Sequence, residues 1–166
     1  MTIRLGFVGV GGIAQRHLGN AAKREDVEIV GHADIKPERA EKAAAAHGGR
    51  AYDHCVALFD GEGPDALVIC TPPYAHGEIE EQAAARGIHF FVEKPVAVDL
   101  QLAKRVKAAV DNSGVLAQVG YMYRFTEGVK AARELLAQRS IAMVQQHFYM
   151  PGMPAKDWWP KIELSG

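Results

Sequence analysis

The apolar run at Phe90–Val98, FFVEKPVAV, breaks on two opposite charges and a proline. Neighbouring side chains on a strand point to opposite faces, so Glu93 and Lys94 form a simple surface pair only if the strand has already ended. Pro95 fixes its own φ and restricts Lys94 to extended geometry, which aims the ammonium in one direction at the edge of a sheet. When a hydride leaves an alcohol carbon the hydroxyl proton must leave too. A positioned ammonium can stabilise the developing alkoxide or pass on that proton. An exposed lysine is a poor match for this work near neutrality, so burial beside a ligand is expected to tune it. The plainer reading of the same pattern is a solvated lysine beside a strand-ending proline.

Other segments supply a place for such a ligand. The segment GFVGVGGIAQRH carries Gly9-x-Gly11-x-x-Ala14 between a strand-like run and a helical one. Gly9 permits a tight turn, Gly11 lets a pyrophosphate approach the backbone, and small Ala14 allows helix and strand to pack closely. The helix N-terminus then offers free N–H groups and a partial positive charge to phosphates. Asp34 closes the next strand-like run 20 residues after Ala14, where a carboxylate accepts hydrogen bonds from ribose hydroxyls. It could instead cap the helix that starts near Pro37. An acid at this position repels a 2′-phosphate and favours NAD over NADP, while Lys36 keeps NADP open. Thr71-Pro72-Pro73 cannot continue a sheet ladder and forms a rigid loop at the carboxyl edge, leading through Tyr74 into a helix near His76. His76 is expected to be a solvated first-turn residue.

These residues need elements to hold them. Short apolar runs (IRLGFVG, EIVGHAD, DALVICT, IHFFVEK, VLAQVGY) alternate with Ala-rich helical stretches (PERAEKAAAAHG, HGEIEEQAAARG). The helical stretches end in His-Gly and Arg-Gly, as C-terminal caps do, and the first opens on proline. This βαβ rhythm predicts an α/β fold, a doubly wound parallel sheet covered on both faces, with ligands beyond the carboxyl ends of its strands. The 166 residues suffice for a real core without disulfides. Lys and Arg (19) nearly balance Asp and Glu (20), and no basic stripe points to nucleic acid or an anionic membrane. No apolar run is long enough to span a bilayer, MTIRLGF does not read as a signal peptide, and a cytoplasmic location is the default expectation. Cys55 and Cys70 share no ligand spacing, so they are read as reduced, packed thiols and no metal site is assigned.

The motifs Gly9-x-Gly11-Gly12-x-Ala14, Asp34, Thr71-Pro72-Pro73 with His76, Glu93-Lys94-Pro95 and Gly120-Tyr121-Met122-Tyr123-Arg124-Phe125 together resemble the glucose-fructose oxidoreductase, inositol dehydrogenase and rhizopine-catabolism (Gfo/Idh/MocA) family. The resemblance implies a Rossmann domain over residues 1–124 and hydride transfer between NAD (or NADP) and a sugar, polyol or related substrate. It places Lys94 at the reacting oxygen as the catalytic residue. It also implies cofactor contacts along Gly9, Gly11, Gly12, Ile13 and Ala14, at Asp34, along Thr71, Pro72, Pro73 and His76, at Glu93, Lys94 and Pro95, and at Arg124. A nicotinamide-binding module without chemistry of its own remains the other reading, because the fold serves both.

Residues 125–166 read as a linker helix (GVKAARELLAQ), a strand-like run (IAMVQQHFYM) and a proline-rich tail with Trp158-Trp159. They resemble the start of the family's second α/β domain, cut short, so the Asp and His that complete the family's catalytic group have no match here. The chain is therefore expected to be a truncated form of a longer enzyme. His147 could be a substrate contact or an ordinary sheet residue. A homo-oligomer pairing tail strands across subunits is a further expectation.

Overall fold

The computed structural model describes residues 1–147, 149 and 161. Its sheet has six strands, all parallel, in the order β3-β2-β1-β4-β5-β6. They are β1 (Ile3–Val8), β2 (Val27–Ala33), β3 (Arg50–Tyr52), β4 (Ala66–Ile69), β5 (His89–Val92) and β6 (Ala117–Val119). Between them run α1 (Gly12–Ala21), α2 (Pro37–His47), α3 (Cys55–Glu62), α4 (Glu78–Ala85) and α5 (Leu100–Ser113), and α6 (Glu127–Leu136) follows. The order reverses between β1 and β4, which makes their carboxyl ends the switch point of the sheet.

Strand alternation divides the core in two. Leu67 and Ile69 of β4, with Phe90 and Val92 of β5, face Leu58 and Phe59 of α3 and Ala83 and Ala84 of α4. Val68 and Cys70 face the other way, toward Ala14, Leu18 and Ala21 of α1 and Ala43 of α2. Ala14, Leu18 and Ala21 lie at helical spacing and are buried, so α1 sits with one stripe against the sheet. Small Ala14, fully buried, permits the close helix–strand approach expected of it.

The helix signals read from sequence hold. Pro37 stands in the first turn of α2, and Gly48 and Gly87 take positive φ just past α2 and α4. Three elements were not foreseen. β3 has only three residues, too few to show alternation, and α3 is apolar almost all round. α5 did carry a signal: Asp99 caps it by accepting from the Leu102 N–H, and Gly114 closes it in the left-handed region.

The strand expected over 141–150 is not formed in its described part, residues 141–147 and 149. Nothing among the described strands pairs with it, and an unpaired segment has no ladder to hold it extended. His147 there is exposed and stacks on Tyr149, 6.3 Å between ring centroids, so it is not the sheet residue expected. The Trp158-Trp159 pair lies outside the described residues. Cys55 and Cys70 are both free, and burial drives the Cys70 thiol up to about 12 and raises Cys55 as well.

His32 on β2 is fully buried. Its Nε2 lies 2.8 Å from the Gly48 carbonyl and its Nδ1 has no hydrogen-bond partner among the described residues. Burial lowers its pKa from the ordinary 6.5, because a charged ring there would be desolvated. The unfolded chain therefore binds a proton more readily between the folded-state pKa and pH 6.5. Folding stability should be fully retained above that window and fall as the pH drops through it. Denaturant midpoints measured across the window test this, and His32→Leu should remove that part of the slope.

Candidate functional site

At the switch point the backbone does most of the positioning. The Gly9 N–H donates to the Ala33 carbonyl (2.8 Å) and the Cys70 N–H to the Val8 carbonyl (2.7 Å), carrying the ladder one residue past the strands. Gly9 has φ +77°, and a Cβ there would lie 2.9 Å from Cys70 C, Cys70 O and Thr71 N. Only glycine fits that turn. The chain then enters α1 with Gly11 at its N-cap, no side chain capping it and no acid in the first turn. A Cβ on Gly11 would meet only the Arg39 guanidinium, at 4.0 Å, and one on Gly12 nothing within 4 Å. The first turn is thus left without a capping side chain or a repelling acid, as an anion site at a helix N-terminus requires. Ile13 is exposed on the same turn.

Asp34, largely buried, holds the neighbouring loop. Its Oδ2 accepts from the Val10 N–H at 3.0 Å and its Oδ1 from the Lys36 N–H at 2.9 Å. The α2 cap position is Lys36, with no side-chain cap bond, so Asp34 shapes the approach to α2 without being its cap. Each carboxylate oxygen keeps a second lone pair for a ribose hydroxyl.

The Thr71–His76 loop is built from inside. Pro73–Ala75 form a 3₁₀ turn after Pro72, and Pro73 is buried. His76 is not the solvated residue expected: its side chain and that of Glu80 are fully buried, with Nδ1 2.6 Å from Glu80 Oε1 and Nε2 3.2 Å from the Thr71 carbonyl. The other Glu80 oxygen accepts from the Gly77 N–H at 2.5 Å. With both ring nitrogens engaged, His76 braces the loop and offers no side-chain contact to a ligand. Thr71 Oγ1, in contrast, is buried and has no partner in the described structure, an orphan beside Gly9.

β5 stops at Val92, and the Glu93 N–H still donates to the Ile69 carbonyl at 2.9 Å. Glu93 turns to α1, its Oε1 2.9 Å from His17 Nε2. Lys94 is exposed and makes no ion pair among the described residues, so the burial expected for it is not supplied by them. The Lys94–Pro95 peptide is cis. Arg124, on the exposed 3₁₀ turn Met122–Phe125, holds its guanidinium 5.6 Å over the Phe125 ring. The structure thus gathers Gly9, Gly11, Gly12, Asp34 and Thr71 at one crevice. It adds His17, which the sequence reading missed because its partner lies 76 residues away.

Residues 3–121 match the oxidoreductase family with an NAD-binding Rossmann fold, and the chain belongs to this Gfo/Idh/MocA family. It is 32% identical over 147 residues to inositol 2-dehydrogenase of Rhizobium meliloti, covering 87% of this chain and 44% of that protein. With glucose-6-phosphate 3-dehydrogenase of Bacillus subtilis it shares 28% over 148 residues, covering 87% of this chain and 42% of that protein. A similar solved structure is the WlbA dehydrogenase from Bordetella pertussis in complex with NADH and UDP-GlcNAcA, with 31% identity, TM-score 0.78 and coverage of 83% of this chain and 43% of that one. The chain therefore spans less than half the length of these relatives. Its groups fit the cofactor of the family: an uncapped helix N-terminus, a glycine turn, a carboxylate and an orphan hydroxyl converge where the dinucleotide would lie.

Glu80→Ala would leave His76 buried without its partner, a change expected to cost about 3–5 kcal/mol of folding stability, read from denaturant unfolding. A loss below about 1 kcal/mol would mean that the pair does not brace the loop.

Proposed function

We propose that this chain supplies the cofactor half of an oxidoreductase acting on a sugar, polyol or related hydroxyl or carbonyl compound. The observation that carries the reading is the uncapped N-terminus of α1, framed by Gly9 and Asp34 at the switch point of the sheet. NAD supplies a hydride acceptor when bound. In this reading the first-turn N–H groups of α1 hold the pyrophosphate, with Gly11, Gly12, Ile13 and Ala14 beneath it, and Asp34 takes the ribose hydroxyls. The acid at that position supports NAD over NADP, and Lys36 beside it keeps a 2′-phosphate open. Thr71 Oγ1 and the Pro72-Pro73 turn border the cofactor, and Arg124 faces the substrate side.

Lys94, at the end of β5, is the catalytic residue of the proposal. Its ammonium stabilises charge on the substrate oxygen as the hydroxyl proton departs, and Glu93 and Pro95 set the direction from which it acts. Its exposure leaves one side of the pocket to be closed by substrate, cofactor or further protein. The relatives' names, an inositol and a hexose phosphate dehydrogenase, support a polyhydroxylated substrate. A cytoplasmic location, supported by two unpaired thiols, and a homo-oligomer are proposed with this reading.

NADH fluorescence titration together with a turnover assay on polyols tests the reading. Lys94→Met should leave NADH affinity unchanged and lower turnover by about 10²-fold or more. Loss of NADH affinity in that variant would make Lys94 a phosphate or structural contact. NADH binding with no turnover in the unsubstituted chain would favour the binding module instead.

A further inference from the structure

We propose that His17 of α1 is a positioning residue for Lys94, acting through Glu93; the inference rests on the reading of Lys94 given above. Phe91 and Glu93 are two residues apart and so share the sheet face that α1 covers. His17 meets both. Its ring packs on Phe91, 5.1 Å between centroids, and its Nε2 lies 2.9 Å from Glu93 Oε1. A carboxylate only accepts, so Nε2 carries the proton and donates. The second carboxylate oxygen, Oε2, accepts from the Lys94 N–H at 3.3 Å. One side chain thereby ties the peptide bearing Lys94 to a helix whose buried stripe is locked on the sheet.

The third wall of this bracket is Gly120, whose N–H donates to the Val92 carbonyl at 2.8 Å. A Cβ on Gly120 would stand 3.0 Å from Phe91 Cζ and 3.3 Å from Glu93 Oε2, so glycine leaves the space that the carboxylate occupies. Glu93 is therefore confined by α1, by its own strand and by the end of β6. The His17 and Glu93 side chains are 26% and 15% exposed, so the contact is largely shielded from water, where a charge-assisted hydrogen bond holds its geometry better than on an open surface. The two charges that interrupt the apolar run divide the labour: Glu93 anchors inward to His17, and Lys94, exposed and without an ion pair among the described residues, is left free for a ligand.

Two substitutions separate hydrogen bonding from packing. His17→Phe keeps a ring on Phe91 and loses the donor; His17→Gln loses the ring and places an amide N–H at similar reach. Backbone ¹⁵N relaxation on the 166-residue chain should give Lys94 an order parameter of about 0.85 in the unsubstituted chain and in His17→Gln, and below about 0.6 in His17→Phe. If His17→Phe does not fold, Glu93→Ala removes the same bond from the other side and should loosen Lys94 equally. Where turnover is present, His17→Phe should lower kcat by about 10²-fold at unchanged NADH affinity, with recovery in His17→Gln. An ordered Lys94 amide in His17→Phe or Glu93→Ala, or equal loosening in His17→Gln, overturns the proposal. If the unsubstituted chain neither binds NADH nor turns over while the relaxation pattern holds, the functional reading fails and the positioning role stands.

Discussion

The contact on which the rest of the site depends is backbone against backbone: Gly9 pressed on Cys70 and Thr71, with 2.9 Å left where any other residue would place its Cβ. That closeness lets β1 and β4 stay paired to their ends while the chain turns sharply into α1. It also fixes where α1 begins, and hence where its unpaired N–H groups point. A side chain at position 9 would have to pry the two strands apart at the switch point. The crevice and the sheet are thus one construction, and the glycine serves both.

Around that contact, three carboxylates each hold one loop of the crevice rim. Asp34 joins the glycine loop to the approach of α2 through the Val10 and Lys36 N–H groups. The His76–Glu80 pair braces the Thr71–Gly77 loop from within. His17 and Glu93 join α1 to the end of β5. Each of these carboxylates accepts from a backbone N–H, which fixes main chain as well as side chain. The outward-facing groups, Lys94, Arg124 and the first turn of α1, carry no comparable bracing and remain available to ligands.

Much of this was legible in the residues. The alternation of apolar runs with Ala-rich stretches yields the parallel sheet, and the glycine pattern gains meaning because a strand precedes it, a helix follows and Asp34 ends the next strand. The caps of α5, Asp99 and Gly114, were equally plain in the sequence. What local pattern does not carry is pairing at long range. Glu93 beside Lys94 invites an ion pair by adjacency, yet the partner of Glu93 is His17, on a helix formed much earlier in the chain. His76 misled in another way: at a helix start it reads as solvated, and only the packing of the loop over Glu80, one turn on, buries it. Short β3 and the region after α6 gave signals too weak or too ambiguous to decide between strand and coil.

Membership of the family and the geometry of the crevice lead to one central claim, that a nicotinamide dinucleotide lies across the carboxyl ends of β1, β2 and β4. Mapping backbone amide shifts on addition of NADH tests it most directly. Shifts are expected to concentrate at Val10–Gln15, Asp34 and Thr71, with the α1 first-turn amides moving most. Shifts elsewhere on the chain, or none at saturating NADH, would contradict it.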